Sequence, residues 1–330
     1  MTDDLPGLIF DLKDNTSFSE TALRIFRYQA ECNPVYSAFI SGLRRPASEV
    51  NSINDIPFLP VEFFKTQTVI TEGRPFEMVF ESSRTTGATP GKHFVHDLKI
   101  YETSFLKSFI HFYGEPSEYF IAALLPSYTD RKNSSLIYMM NTLIKKSLNK
   151  ESGFYADNIE ELIRNIHNAK SAGQKTLLIG VSFALLDLAE NWSPDLSGTI
   201  VMETGGMKGR RKEITREELH NILTDRLNVK SVHSEYGMTE LMSQAYSKGS
   251  GIFYCPPWMK ILIRDPYDPL GIIDEYDKGG GINIIDLANI YSCSFISTSD
   301  FGKLHENGGF EVSGRFDNSD IRGCNLMSER

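Results

Sequence analysis

Between residues 97 and 237 the chain alternates between short, almost wholly apolar runs and longer stretches whose apolar positions recur every three or four residues. DLKIYETSFLKSFIHFY reads as helix and EYFIAALLP as a strand. SSLIYMMNTLIKKSL and NIEELIRNIHNAKSAG read as helices, KTLLIGV as a strand and SFALLDLAENW as a helix. GTIVMETGG, TREELHNILTDRLN and VKSVHSEYG then read as strand, helix and strand. Strands that lack inside–outside alternation are buried on both faces, and strand–helix–strand repetition brings parallel pairing with right-handed crossovers. The expected fold is α/β, a doubly wound and largely parallel sheet. Thr215 with Glu218 is a capping pair for the last helix. Earlier, SFSETALRIFRYQAECNPVYSAFISGL reads as helix, with Ser17 and Glu20 as a capping box and Leu23, Phe26 and Ala30 on one face; Asn33-Pro34 interrupts it, and a second short helix is expected to follow. After residue 250 the texture becomes short runs (WMKILIR, GINIIDL, CSFIST, GFEV) punctuated by Asp-Pro and Gly-Gly, which predicts a smaller antiparallel sheet or barrel. No repeat or low-complexity tract divides the chain. The expected organisation is an α/β core over 1–250, a β-rich subdomain over 251–315 and a short tail over 316–330.

Composition narrows the function. The chain has 330 residues, 34 Lys+Arg against 43 Asp+Glu and a formal charge of -9. That balance argues against a nucleic-acid partner, because the sequence-independent part of such binding comes from basic surface. The start, MTDDLPGLIF, has no basic region and predicts no secretory signal. The longest apolar stretch, TLLIGVSFALLDLA, is too short for a bilayer span and contains Asp187, so no integral membrane association is expected. Four cysteines lie far apart without a CxxC, which suits neither a disulfide framework nor a zinc site. A cytoplasmic enzyme is the expectation.

In open α/β sheets ligands bind beyond the carboxyl ends of the strands, which directs attention to the loops there. Three segments carry candidate chemistry. ESSRTTGATPGKH, Glu81 to His93, gathers hydroxyls, glycines and Lys92, the ingredients of a phosphate cradle. It is not a P-loop: Gly87 and Gly91 are separated by three residues rather than four, and Lys92 is followed by His93. A polar hairpin without a ligand is the competing reading. HSEYGMTELMSQAY, His233 to Tyr246, follows a strand and precedes a helix-like run. There Tyr236 could stack on a purine, Thr239 donate to a phosphate and Glu240 hold Mg²⁺, unless the segment is only a capped turn. In the tail, Asp300 could accept from sugar hydroxyls and Arg315 contact a phosphate or ribose, unless either is only turn chemistry. Cys324 stands beside Arg322, whose charge favours a thiolate; an unremarkable surface thiol is the competing reading.

In this order the three segments resemble the adenylate-forming, acyl- and aryl-activating enzymes over roughly residues 55 to 326. With the opening PFLPVEFFKT and the closing RGCNLM, the chain looks most like the acyl-protein synthetases of bacterial fatty-acid reductase complexes, the LuxE family. Phenylacetate–coenzyme A ligases resemble it next. The resemblance implies ATP and Mg²⁺ as cofactors and a carboxylic acid, foremost a long-chain fatty acid, as substrate. It further implies an acyl-AMP intermediate and a reductase or transferase protein partner. Ser82, Ser83, Thr85, Thr86, Gly87 and Lys92 match the loop that holds the ATP phosphates. Gly205 and Gly206 match the glycine pair lining the adenine and acyl sites. Tyr236, Gly237, Thr239 and Glu240 match the motif that stacks adenine and engages the acyl phosphate and Mg²⁺. Asp300 matches the ribose ligand, Arg315 the hinge-proximal arginine, and Cys324 the near-terminal cysteine that accepts the acyl group. On this reading Cys324, Lys92 and Glu240 are catalytic.

The chain departs from that pattern twice. Arg84 stands where the phosphate loop usually has glycine. The sequence also ends fifteen residues after Arg315, whereas full-length relatives continue into a mobile domain of about a hundred residues, an ordinary size for a small domain, that supplies a lysine. Lys92, Arg84, Arg322 or a partner would have to compensate. The alternatives are transfer to coenzyme A, or a catalytically idle nucleotide- or acyl-binding subunit. KGRRK, Lys208 to Lys212, reads as a solvated loop, His233 as a satisfied buried histidine, and Cys32 and Cys293 as small hydrophobes.

Overall fold

The computed structural model describes residues 5–82, 89–126, 132–206 and 214–315. They fall into two compact units: one holds the described residues of 1–78, 91–100 and 254–330, the other those of 79–90 and 101–253. The N-terminal part of the first unit contains α1 (Leu5–Ile9), α2 (Asn15–Cys32) and α3 (Pro34–Gly42). The capping box of α2 lies three residues earlier than expected. Asp14 is the cap, accepting from the Ser17 amide at 2.8 Å, while the Ser17 hydroxyl accepts from the Asp14 amide at 3.1 Å. Ser17 therefore serves as the third helical residue, because Asp14 caps as well as serine and extends the helix by a turn. Asn33 ends α2 and caps α3, accepting from Tyr36, with Pro34 at the first helical position where its missing N–H costs nothing. β1 (Leu59–Pro60), α4 (Phe63–Thr66) and β3 (Lys92–Val95) follow in this unit, while β2 (Met78–Glu81) belongs, after its first residue, to the second.

The second unit carries most of α5 (Leu98–Tyr113), then β4 (Tyr119–Leu124), α6 (Ser135–Lys146), β5 (Gly153–Phe154), α7 (Ile159–Ser171), β6 (Lys175–Val181) and α8 (Ser182–Asn191). It continues with β7 (Ile200–Thr204), α9 (Arg216–Leu227), β8 (Val232–Tyr236), β9 (Ala245–Ser247) and β10 (Ile252–Phe253). Its main sheet has the order β5-β4-β6-β7-β8-β9. The first five strands are parallel and β9 turns back antiparallel to β8. The helix-like reading of LMSQAY is thus corrected. Leu241 to Ser247 are all buried, and the pairing of Ala245 to Ser247 with β8 overrides the helical preference of the run. β4 is buried at every position, as a strand covered on both faces must be. Phe120, Ala122 and Leu124 pack with Leu162, Leu185, Leu219 and Leu223 of α7, α8 and α9 on one face, and Tyr119 meets Phe109 of α5 on the other. This is the doubly wound sheet expected. Thr215 caps α9 as predicted, accepting from the Glu218 amide at 3.1 Å.

The first unit resumes with β11 (Met259–Arg264), β12 (Ile272–Ile273), β13 (Gly280–Asp286), β14 (Phe295–Leu304) and β15 (Phe310–Arg315). These form an antiparallel sheet in the order β15-β14-β13-β11-β12, with β1 parallel beside β14. Among the described residues, no helix is long and apolar enough to cross a membrane.

Candidate active site

The carboxyl ends of β6, β7 and β8 lie side by side, with Val181, Thr204 and Glu235 in register. The Gly205-Gly206 turn leaves β7 and the Tyr236 to Glu240 turn leaves β8, so two of the sequence-predicted segments occupy adjacent strand ends. A chain of buried polar side chains joins these ends. The Ser182 hydroxyl, first in α8, lies 2.7 Å from the Gly205 carbonyl and 3.1 Å from Glu203 Oε2. Glu203 Oε1 faces Arg216 Nε at 3.4 Å and His220 Nε2 at 3.8 Å, both from α9. One strand over, the Thr204 hydroxyl donates to Glu235 Oε2. Burial alone would push the Glu203 carboxyl up, but His220, Arg216 and Ser234 outweigh it and hold it below the usual carboxylate range. Glu203 is therefore an ionised carboxylate in the interior, with its counter-charge beside it.

Two glycines here have conformational reasons. Gly205 sits at φ +67°, in the left-handed region that favours glycine. At Gly237 a Cβ would fall 2.4 Å from Glu235 Oε1, so the carboxylate of β8 occupies the space a side chain would need. Tyr236 is half-buried, its ring 5.8 Å from Phe253 at 59°, and the Arg216 guanidinium lies 5.0 Å above the same Phe253 ring. Thr239 and Glu240 lie in a turn closed by the Leu241 amide donating to Met238 O at 3.0 Å; Glu240 is buried. The far side of this loop is fastened to α5: Ser104 meets the Ser243 hydroxyl at 3.0 Å, and Ser108 donates to Gln244 O at 3.2 Å. Among the described residues no three His, Cys, Asp or Glu cluster as metal ligands. An Mg²⁺ would therefore rest on the single Glu240 carboxylate and the nucleotide's own phosphates. That fits an ion which keeps several waters and binds through one or two carboxylates.

Ser82 follows β2, in the same unit as the two turns. Lys92, Asp300 and Arg315 belong to the other unit. Lys92 opens β3 and is exposed. Asp300 and Arg315, fifteen positions apart in sequence, are cross-strand partners on β14 and β15 with Oδ1 and Nε 3.6 Å apart. Arg315 is 83% exposed, so its guanidinium is free to turn toward a ligand. Ser83, Thr85, Thr86, Gly87, Arg84, the run Lys208 to Lys212 and Cys324 lie outside the described residues. His233 is a packed histidine: Tyr113 OH lies 3.2 Å from its Nδ1, and burial, with Lys248 and His220 nearby, pulls its pKa down to about 4. Ser182, Glu203, Arg216 and Glu235 escaped sequence reasoning. For the two glutamates the signal available was a carboxylate one residue before the end of each strand, in IVMET and again in VHSEY.

No protein-family model matches the chain, and no curated protein matches it. Solved structures do. ATP-bound MatB from Rhodopseudomonas palustris is 15% identical over 74% of this chain and 49% of its own, with a TM-score of 0.53. A 2-hydroxyisobutyryl-CoA ligase in complex with 2-HIB-AMP is 12% identical over 95% of this chain and 74% of its own, with a TM-score of 0.65. The luciferase-like enzyme of the mealworm Zophobas morio is 17% identical over 75% and 59%, with a TM-score of 0.51. This is the adenylate-forming fold. The chain spans about half the length of the first of these structures.

Proposed function

We propose that the protein activates a carboxylic acid with ATP and passes the acyl group to Cys324. A carboxylate oxygen attacks the α-phosphorus, pyrophosphate leaves, and the Cys324 thiolate then attacks the acyl carbon with AMP as leaving group. The observation that carries this reading is the adjacency of the Gly205-Gly206 and Tyr236–Glu240 turns at neighbouring carboxyl ends of a parallel sheet, where such folds bind ligands. Tyr236 stacks the adenine and Thr239 donates to the acyl phosphate. Asp300 accepts from the ribose, with Arg315 beside it. Ser82, Ser83, Thr85, Thr86, Gly87 and Lys92 hold the phosphates. Mg²⁺ at Glu240, when bound, neutralises phosphate charge. The assignment of the thiol gains support from the other cysteines. Burial raises Cys32 and Cys255 and pushes Cys293 up to about 12, so none of these is a ready thiolate near neutrality. A long-chain fatty acid is the proposed substrate and an acyl reductase the proposed recipient.

The test is incubation of the purified protein with ATP, Mg²⁺ and a panel of radiolabelled acids. Label on the polypeptide, lost in Cys324→Ser while acid-dependent ATP–pyrophosphate exchange persists, is the expected result. Stable label persisting in Cys324→Ser would remove the cysteine from the scheme. Coenzyme A as acceptor is a second reading, favoured by the likeness over 96% of this chain to the 2-hydroxyisobutyryl-CoA ligase in complex with 2-HIB-AMP and CoA. It predicts a thioester free in solution and unlabelled protein. ATP raising the melting temperature without any exchange would mark an idle binding subunit instead.

A further inference from the structure

Ser182 stands at the end of β6, outside every segment that carried candidate chemistry, yet its hydroxyl reaches two acceptors on the neighbouring strand. It is 3% exposed, and Glu203 is 5% exposed. One hydroxyl proton faces an ionised carboxylate oxygen at 3.1 Å and the Gly205 carbonyl at 2.7 Å; the shorter contact is the one to the turn. Gly205 lies just past the last residue of β7, in the left-handed region, where the ladder no longer dictates the direction of its carbonyl. Glu203 in turn is fixed from the opposite side by Arg216 and His220 of α9. The turn is therefore tied into two helices, through Ser182 of α8 and, by way of Glu203, through the Arg216 and His220 side chains of α9.

We propose that Ser182 is a positioning residue: its hydroxyl, set by Glu203, holds the Gly205-Gly206 turn in the orientation that lines the nucleotide and acyl site. The proposal rests on the proposed function for its catalytic consequence, but the restraint on the turn is a property of the fold. Loss of the hydroxyl frees the Gly205 carbonyl to rotate and leaves Glu203 Oε2 short of a donor. Small misplacements near reacting atoms are costly, up to about 100-fold for 1 Å.

The experiment compares wild type, Ser182→Ala, Ser182→Thr and Leu223→Val. The last is a core change on α9 that leaves the hydroxyl in place. Hydrogen exchange of the 200–206 segment, read by mass spectrometry, and acid-dependent ATP–pyrophosphate exchange, resolved into kcat and KM, are measured on all four. The expected result is exchange of the 200–206 amides at least tenfold faster in Ser182→Ala than in Leu223→Val. Alongside it, kcat falls at least tenfold in Ser182→Ala, and Ser182→Thr recovers both readouts. Unchanged amide exchange in Ser182→Ala overturns the proposal whatever the activity. Faster amide exchange with kcat kept within twofold also overturns it, because the restraint then has no catalytic consequence. If the wild type shows no pyrophosphate exchange with any acid, the catalytic reading fails. The amide exchange then decides by itself whether Ser182 holds the turn.

Discussion

The carboxyl edge of the parallel sheet and the β14–β15 hairpin both carry residues proposed to hold the nucleotide, yet they hold their charges in opposite ways. At the sheet edge Glu203, Glu235 and Glu240 are buried, and Glu203 meets Ser182, Arg216 and His220 together. On the hairpin, Asp300 and Arg315 form one pair with the arginine largely in solvent. A buried charge makes each partner expensive to remove, whereas an exposed ion pair contributes little to stability. The edge is thus a rigid platform whose residues are coupled. The hairpin offers an arginine, Arg315, that can turn toward a ligand at little cost to the fold.

Substitutions should break this contrast in a definite order. The largest effect is expected from Glu203→Ala, which removes the carboxylate that Arg216 and His220 face. The second unit should lose about 3 kcal/mol, read as a lower urea midpoint of Trp192 fluorescence in a Trp258→Phe background, since Trp192 lies in that unit and Trp258 does not. Gly237→Ala places a methyl against Glu235 and should cost about 1–3 kcal/mol by the same measurement. A milder pH effect sharpens the picture. His233 is neutral when folded down to about pH 4, while an unfolded histidine takes up its proton near pH 6.5. Stability from this residue is complete above about pH 6.5 and is lost as the pH falls toward 4. Melting temperatures of His233→Phe should show a shallower decline across that window. Glu203, held below the usual carboxylate range, adds its own loss only as the pH falls below about 4.5, where the unfolded carboxyl takes up its proton. The smallest stability change belongs to Arg315→Ala, within about 0.5 kcal/mol. Its ATP affinity should nonetheless fall about tenfold by calorimetry, the worth of one charged hydrogen bond. Equal destabilisation by Glu203→Ala and Arg315→Ala would erase the distinction between the two regions.

Much of the fold is legible in the sequence because burial on both faces leaves a strong trace. KTLLIGV, VMET and YFIAAL are apolar runs with no competing helical period, and each is a strand. Thr215 is a readable cap because Glu218 and an apolar face follow it. The cap of α2 was displaced because Asp14 and Ser17 are both competent caps, and the choice depends on where the preceding chain comes from. The stretch after Glu240 misled because Leu, Met, Gln and Ala suit helices. Pairing with β8, a tertiary fact, overrides that preference. At the site, the turns themselves could be found from glycine, tyrosine and threonine. The side chains that brace them could not. Ser182 lies 23 residues from Gly205, and Thr204 lies 31 from Glu235. Only the parallel register brings them together.

The first unit is assembled from both ends of the chain. Leu59 of β1 lies against Ile296, Gln29 is fully buried and donates to the carbonyls of Asn289 and Ile290, and Asn33 donates to Ser292 O. During synthesis, α2 and β1 emerge long before those partners exist, and the whole second unit is made in between. The early helices must therefore wait, with Gln29 solvated and apolar faces open, until its partner 260 positions further on has been made, which makes this half of the molecule the one with most to gain from a chaperone.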